Sequence, residues 1–464
     1  MKSSSPFHLR LVRWAASARV RVIGAACATS LAACATYGER TAEAYSAFEA
    51  GRFAQAESEY ADPKTTDSAF LSGAEAGMAA LTGGDFAGAQ THFDRAHEEV
   101  RELEDRALVS ATDLGETLLS FALNDTFKAY EGEGFERVML HGCLAITYLA
   151  QGQLEGAYVE ARRANKLLES EEALYEKRYA AGGLGHFLSA LAYEMLDQPS
   201  EAFIDYQRMV EKGVGKELAA RAMIRLAPRL QRESDVEPLI ATFGGDPARP
   251  EGAATIVLLA GVGAGPFKQE AGISIPIDGG KFVQWAVPVH AVRPQPVSSL
   301  VLRLAGASES VRTTVIEDVG KVAKENLDDR IAWLAAKSAV RAALKYELTD
   351  KLEDEHGLLG LLAGDIFTIA TERADLRAWQ TLPDTWQAAR AFVAPGTHQI
   401  IVDADGGSSV ALGSFELSPG ETMIVFARSL GTRVYAYPIG GRRTDTPAAP
   451  ATVPAVPTVD PASP

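Results

Sequence analysis

Apolar positions along residues 40–245 recur at the three-and-four spacing of amphipathic helices, and they do so in a frame that repeats. Around Gly152 the chain reads Leu144-Ala145-x-x-Tyr148-x-x-x-Gly152-x-Leu154-x-x-Ala157, followed by Ala161 and Ala164. Gly77, Ala80, Phe86, Ala89, Phe93 and Ala96 set the same frame around Gly84. Ala44, Ala47, Phe53, Ala56 and Tyr60 set it around Gly51. A fourth copy has Ala190, Tyr193, Pro199, Ala202 and Tyr206, with Asp197 where the others have a turn glycine. The turn positions 51, 84 and 152 fit a period of about 34 residues, the last step spanning two of them. The fourth copy requires an insertion, for which Glu171–Gly183 is the candidate. Each copy predicts a hairpin: large and small residues interlock on one helix, a glycine turns the chain, and alanines let the return helix pack close.

Past Gly244 the period changes from helix to strand. Residues 254–260, 272–277, 282–290, 298–305 and 311–316 are short β-branched or alternating runs separated by Gly and Pro. Residues 388–393, 397–403, 408–417, 421–428 and 432–437 resume the style, with Pro395-Gly396 and Pro419-Gly420 as tight-turn signals. Two blocks of antiparallel strands predict a β-sandwich. Between them, Leu327, Ile331 and Leu334 mark an apolar stripe on a charged helix, and Gly357–Ala370 is a short Gly- and Leu-rich run. That run is too short to span a bilayer; a buried helix and a surface-inserting hairpin both remain open. The fold class expected is α+β, an N-terminal all-α solenoid followed by a sandwich-like domain with a helical insertion. The boundaries expected are 1–33 leader, 34–245 helical repeats, 250–440 strands with the insertion at about 317–374, and 441–464 a disordered Pro-rich tail.

Residues 1–33 read differently from the rest. Lys2, Arg10, Arg13, Arg19 and Arg21 precede Val22–Ala33, an apolar run of small residues. This is the layout of an export signal, too short for a membrane span. It ends Leu31-Ala32-Ala33-Cys34, which resembles the lipobox of bacterial lipoproteins. The resemblance implies cleavage before Cys34, a diacylglycerol on its sulfur and an acyl group on its amine, which together give stable attachment. Ala35, in place of the aspartate of inner-membrane retention, implies the periplasmic face of the outer membrane. The whole chain carries a net charge of −16, and losing a leader with five basic residues and no acid takes the mature chain to −21. Such a surface repels phosphate backbones and anionic headgroups, so nucleic acid is excluded as a partner and membrane contact is assigned to the lipid. Of three cysteines, only Cys143 is left for the folded part, in a close-packing helix that predicts burial.

The helical frame resembles the tetratricopeptide repeat. Tyr130–Arg137 with the Met139–Tyr148 helix, Val159-Glu160-Ala161-Arg162-Arg163-Ala164-Asn165, and Ala374–Pro383 together resemble a family of proteobacterial lipoproteins with such repeats. The resemblance implies a protein-binding scaffold in envelope biogenesis, by association, since members are often encoded near a lipoprotein activator of cell-wall synthases. A regulator of peptidoglycan synthesis is the alternative, and a hydrolase of envelope polymers a third class with only Glu131, Glu133 and Glu136 behind it.

Motifs for chemistry are sparse, and no catalytic, cofactor or metal residue is assigned. Gly261-Val-Gly263-Ala-Gly265-Pro266 follows a strand, but Pro266 stands where a dinucleotide loop needs glycine, so a tight loop is expected. Gly279-Gly280-Lys281 lacks the earlier glycine of a phosphate loop, and no Gly-x-Ser-x-Gly elbow occurs. His92 and His97 are five apart, on different helix faces, a poor spacing for a shared metal. Glu160, Arg162, Arg163 and Asn165 on a return helix, and Arg377, Trp379 and Trp386 at the re-entry into strands, are the partner-binding candidates. For both groups the alternative is structural, an ion-paired helix surface and an aromatic packed in the core.

Overall fold

The computed structural model describes residues 36–109, 130–245, 249–277, 281–306, 310–332 and 374–445. Cys34 and the leader, Gly279-Gly280, Gly357–Ala370 with most of the expected insertion, and 446–464 lie outside the described residues. The protein is mixed helix and sheet, with a helical N-terminal region.

Helices come in hairpins: α1 (Tyr37–Glu49) with α2 (Phe53–Ala61), α4 (Ala69–Gly83) with α5 (Phe86–Val109), and α6 (Gly134–Ala150) with α7 (Leu154–Tyr175). Next come α8 (Gly183–Met195) with α9 (Pro199–Lys212) and α10 (Lys216–Leu230) with α11 (Glu233–Phe243), while α3 (Pro63–Thr66) is a single turn after the first pair. One kind of turn closes every pair. Gly51, Gly84, Gly152 and Asp197 all adopt left-handed φ, at 79°, 83°, 72° and 58°. The next N–H reaches back to the carbonyl five residues earlier in each, from Arg52 to Ala47, Asp85 to Ala80, Gln153 to Tyr148 and Gln198 to Tyr193. This satisfies the last carbonyls of the first helix and sends the chain back. Gln231, one repeat period after Asp197, does the same with φ 55° and an Arg232-to-Ala227 bond. The repeat frame does not predict that fifth hairpin, because the turn position carries glutamine.

Strands form two five-stranded sheets and a ribbon. The first sheet has the order β11 (Arg433–Ile439), β10 (Thr422–Leu430), β1 (Ala254–Val262), β7 (Thr385–Val393), β6 (Thr314–Asp318). The second runs β12 (Arg442–Arg443), β9 (Ser409–Leu417), β8 (Gly396–Ala404), β4 (Leu300–Leu304), β5 (Ser310–Arg312). The ribbon is β2 (Phe267–Ile277) with β3 (Lys281–Ala291). One pairing departs from the antiparallel expectation: β1 and β10 run parallel, from Thr255 opposite Thr422 to Gly261 opposite Arg428. Residues 319–332 are helical, and Asp445 still bonds the Ser414 N–H, so the strand region runs past Gly441.

The first sheet is a middle layer. Val257 and Leu259 of β1, with Trp386, Ile424 and Phe426, share one apolar cluster with the helices. Ile256, Leu258 and Ala260, with Met423 and Val425, share another with the second sheet. Alternate residues of a strand face opposite ways, so β1 is apolar on both sides and reads as an unbroken run rather than an alternation.

Candidate functional site

Helices α4, α6 and α8 are buried along nearly their whole length. Trp379–Thr381, in the stretch before β7, lies on α4 and α6, and β6 lies against α8. Stacked helical repeats commonly present a concave inner surface to a partner; here residues of the chain's own C-terminal half pack against it. Tyr435 of β11 meets Phe53 edge-on at 4.7 Å, and a side chain at Gly51 would collide with its hydroxyl. Tyr437, two residues on, puts its ring where a side chain at Gly84 would stand and donates its hydroxyl to the Thr82 carbonyl at 3.1 Å. Two turn glycines thus serve both the hairpin and the closeness of the strand.

Buried carboxylates fasten this interface. Glu75 of α4 accepts four hydrogen bonds: Oε1 from the Tyr37 hydroxyl at 2.9 Å and Gln380 N–H at 2.7 Å, and Oε2 from Thr381 N–H at 3.1 Å and its hydroxyl at 2.6 Å. Burial pushes its pKa up to about 7, the hydrogen bonds restraining the rise. Glu136 of α6 accepts from Trp379 N–H at 2.7 Å and the Tyr130 hydroxyl at 2.7 Å. Burial, together with the neighbouring charge of Glu133, raises its pKa. Glu133 meets Lys268 at 2.5 Å and Arg330 at 3.2 Å, cations that outweigh burial and hold its pKa low. Glu317 of β6 accepts from Gly182 and Leu184 N–H at 2.9 and 3.1 Å, capping α8 from outside the helix, and burial lifts its pKa to about 7. At the far end Arg390 of β7 donates to Glu194 at 2.9 Å and Tyr206 at 2.8 Å. Arg390 and Arg225 outweigh burial at Glu194 and hold its pKa at about 2. Of the three acids considered for hydrolysis, Glu133 and Glu136 are committed to this interface.

The expected glycine loop has a concrete task. Residues 261–265 wrap the fully buried Arg428, whose guanidinium donates to the carbonyls of Gly261 at 3.2 Å, Gly263 at 2.5 Å and Ser429 at 2.6 Å. Burial lowers its pKa to about 10.

Trp379 and Trp386, for which the sequence leaves open a partner-binding anchor or an aromatic packed in the core, are buried. Trp379, 2% exposed, lies against Phe70 and Phe93 with its indole N–H on Thr381, so it anchors the strand half to its own helices. Arg377 pairs with Asp375 at 2.8 Å and lies over the Tyr130 ring. Asn165 is also buried, 3.0 Å from His186, which meets Asp205 at 2.8 Å. Arg162 is exposed on α7, its guanidinium 3.4 Å from the Tyr193 hydroxyl.

Glu160 and Arg163 belong to a second cluster, which no sequence motif announces. His141 of α6, fully buried, places Nδ1 2.6 Å from Glu160 and Nε2 2.9 Å from Glu104 of α5. His97 shares a face of α5 with Glu104, two turns away, and brings Nε2 to 3.4 Å from the same carboxylate. Arg163 approaches Glu104 at 3.5 Å and pairs with Asp105 at 2.7 Å. Burial opposes a charged His141, yet the two glutamates prevail and raise its pKa to about 9. Burial and the charge of His141 lower that of His97. His92 turns away to Glu57 at 3.1 Å. Cys143 is buried, which pushes its thiol pKa up and away from nucleophilic use.

The architecture so far is a stack of helical hairpins closed over a two-sheet strand half. No family model and no curated protein matches the chain. Solved structures similar to part of it include MamA AMB-1, 13% identical, covering 45% of this chain and 89% of that one at a TM-score of 0.29. MamA MSR-1 is 12% identical, covering 45% and 94% at 0.28. Among the described residues no helix is long and apolar enough to cross a membrane.

Proposed function

We propose that the protein is an outer-membrane lipoprotein, held on the periplasmic face by acyl groups on Cys34, that works by binding another envelope protein and not by catalysis. The observation that carries this reading is on the outer face of the hairpins. Val159 of α7 and Ile204 of α9 occupy the same repeat position, seven residues after the turn residues Gly152 and Asp197, and each is 52% exposed. Large apolar side chains kept in water at equivalent positions, with Arg162 one turn from Val159, have the composition of a contact surface. With the concave inner surface packed in cis, the return helices supply the contact that the inner helices supply in an open solenoid. The strand half we read as a β-sandwich; two five-stranded sheets sharing one apolar core support it, with the parallel β1–β10 pair as its irregular feature. Control of peptidoglycan synthesis is a narrower form of the same reading, supported by the family resemblance of Tyr130–Arg137.

Affinity capture from crosslinked membranes tests the proposal. Wild type should retain a defined partner, and Val159→Asp/Ile204→Asp should lose it while keeping its circular dichroism. Undiminished capture by the double variant would overturn the outer-face reading.

A further inference from the structure

We infer that His97, Glu104 and His141 form a binding site for a divalent transition-metal ion of the zinc class, with Glu160 orienting His141. One donor atom from each of the three lies within 4.8 Å of the others. Both histidines address a single carboxylate, His141 Nε2 at 2.9 Å and His97 Nε2 at 3.4 Å from Glu104 Oε2. His97 Nε2 and Glu104 Oε1 are buried, and neither has a hydrogen-bond partner among the described residues. Such atoms raise the energy of a folded chain, and an ion between them would satisfy both.

The surroundings match a metal site beyond the ligands. A metal-bound imidazole commonly donates its other N–H to a carboxylate, which fixes the tautomer and aims the free lone pair. Glu160 stands 2.6 Å from His141 Nδ1, the position this requires. Two imidazole nitrogens and one carboxylate suit zinc and its neighbours, whereas calcium and magnesium prefer all-oxygen sets. Bonds of about 2.1 Å in a tetrahedron place donors about 3.4 Å apart. His97 Nε2 already stands at that distance from Glu104, and the widest separation, up to 4.8 Å, must close by about 1.4 Å. The His97 side chain is 17% exposed, so the cluster lies just beneath the surface although the donor nitrogen is buried. On binding, the hydrogen between His141 Nε2 and Glu104 leaves for bulk water as a proton, and the nitrogen lone pair goes to the ion. Arg163, 3.5 Å from Glu104, is a fixed cation that competes with the ion for that carboxylate.

The test is titration of the full mature chain in detergent with zinc ion, followed by calorimetry, and with cobalt(II) ion, followed by its visible spectrum. Wild type should bind one ion and show tetrahedral cobalt bands. His97→Asn and Glu104→Gln should each weaken binding at least tenfold, and Glu160→Gln about 10- to 100-fold. Arg163→Gln should bind as tightly or more tightly. His97 is at the rim, so His97→Asn should fold and decides the matter if Glu104→Gln does not. No binding to wild type, or unchanged affinity in folded His97→Asn, would overturn the inference, the latter assigning the ion to the acidic surface.

Discussion

Replacing Glu75 by glutamine should give a stability defect whose size depends on pH. The four hydrogen bonds at Glu75 divide evenly, each oxygen taking one backbone N–H and one hydroxyl. Glutamine keeps one oxygen and turns the other into a donor. The hydroxyl at that end can rotate to accept, but the backbone N–H of Gln380 or Thr381 is left without a partner, costing about 1–3 kcal/mol. The pH dependence follows from the carboxyl. Its value in the folded protein is about 7 against an ordinary 4.5, so between these limits the folded state holds more protons than the unfolded one. The stability linked to that proton is fully present below pH 4.5 and lost as pH rises through 7, to a total of about 3 kcal/mol. Glutamine cannot titrate, so this component disappears from the variant. Urea unfolding at pH 5 and pH 8, followed by tryptophan fluorescence, should therefore show a larger deficit for Glu75→Gln at pH 5 than at pH 8. The buried Trp379 and Trp386 report the transition. Equal deficits at both pH values would refute the protonated, buried carboxyl.

Other perturbations have distinct signatures. Cys34→Ser should leave soluble protein or uncleaved precursor, since serine cannot form the lipid thioether; continued fractionation with the outer membrane would remove the anchor from the scheme. Ala89→Leu and Ala157→Leu place extra methylenes at fully buried contacts between paired helices and should each cost about 1–3 kcal/mol in a melt, while Ala451→Leu should cost nothing. Arg390→Met removes one of two guanidinium groups from half-buried Glu194; above pH 5 it should destabilise by about 3 kcal/mol, and a melt unchanged from wild type would contradict the ion pair.

The helical half is legible in the sequence because its turn is chemically specific. Glycine at 51, 84 and 152 marks left-handed backbone, and alanine at the return-helix positions marks close approach. Where Gln231 holds the same backbone, the mark is missing and the hairpin is hidden. Strand positions are legible from Gly and Pro punctuation, but the layering is not. The apolar run of β1 is visible, yet only the helices packed on Val257 and Leu259 explain it as a strand buried on both faces. That packing also misdirects a reading of the candidate site. Trp379 has the composition of a binding anchor and is one, but its pocket is made by Phe70 and Phe93 of the same chain. The histidine cluster draws on three helices, so no local spacing could announce it beyond the two turns between His97 and Glu104.

A photocrosslinking residue placed at 159 and at 204, with a control at exposed Val292 on the strand side, would test the outer-face claim most directly. In living cells, adducts of one common mass should form from 159 and 204 and be absent from 292. Adducts from 292 alone would contradict it and move the working surface to the strand half.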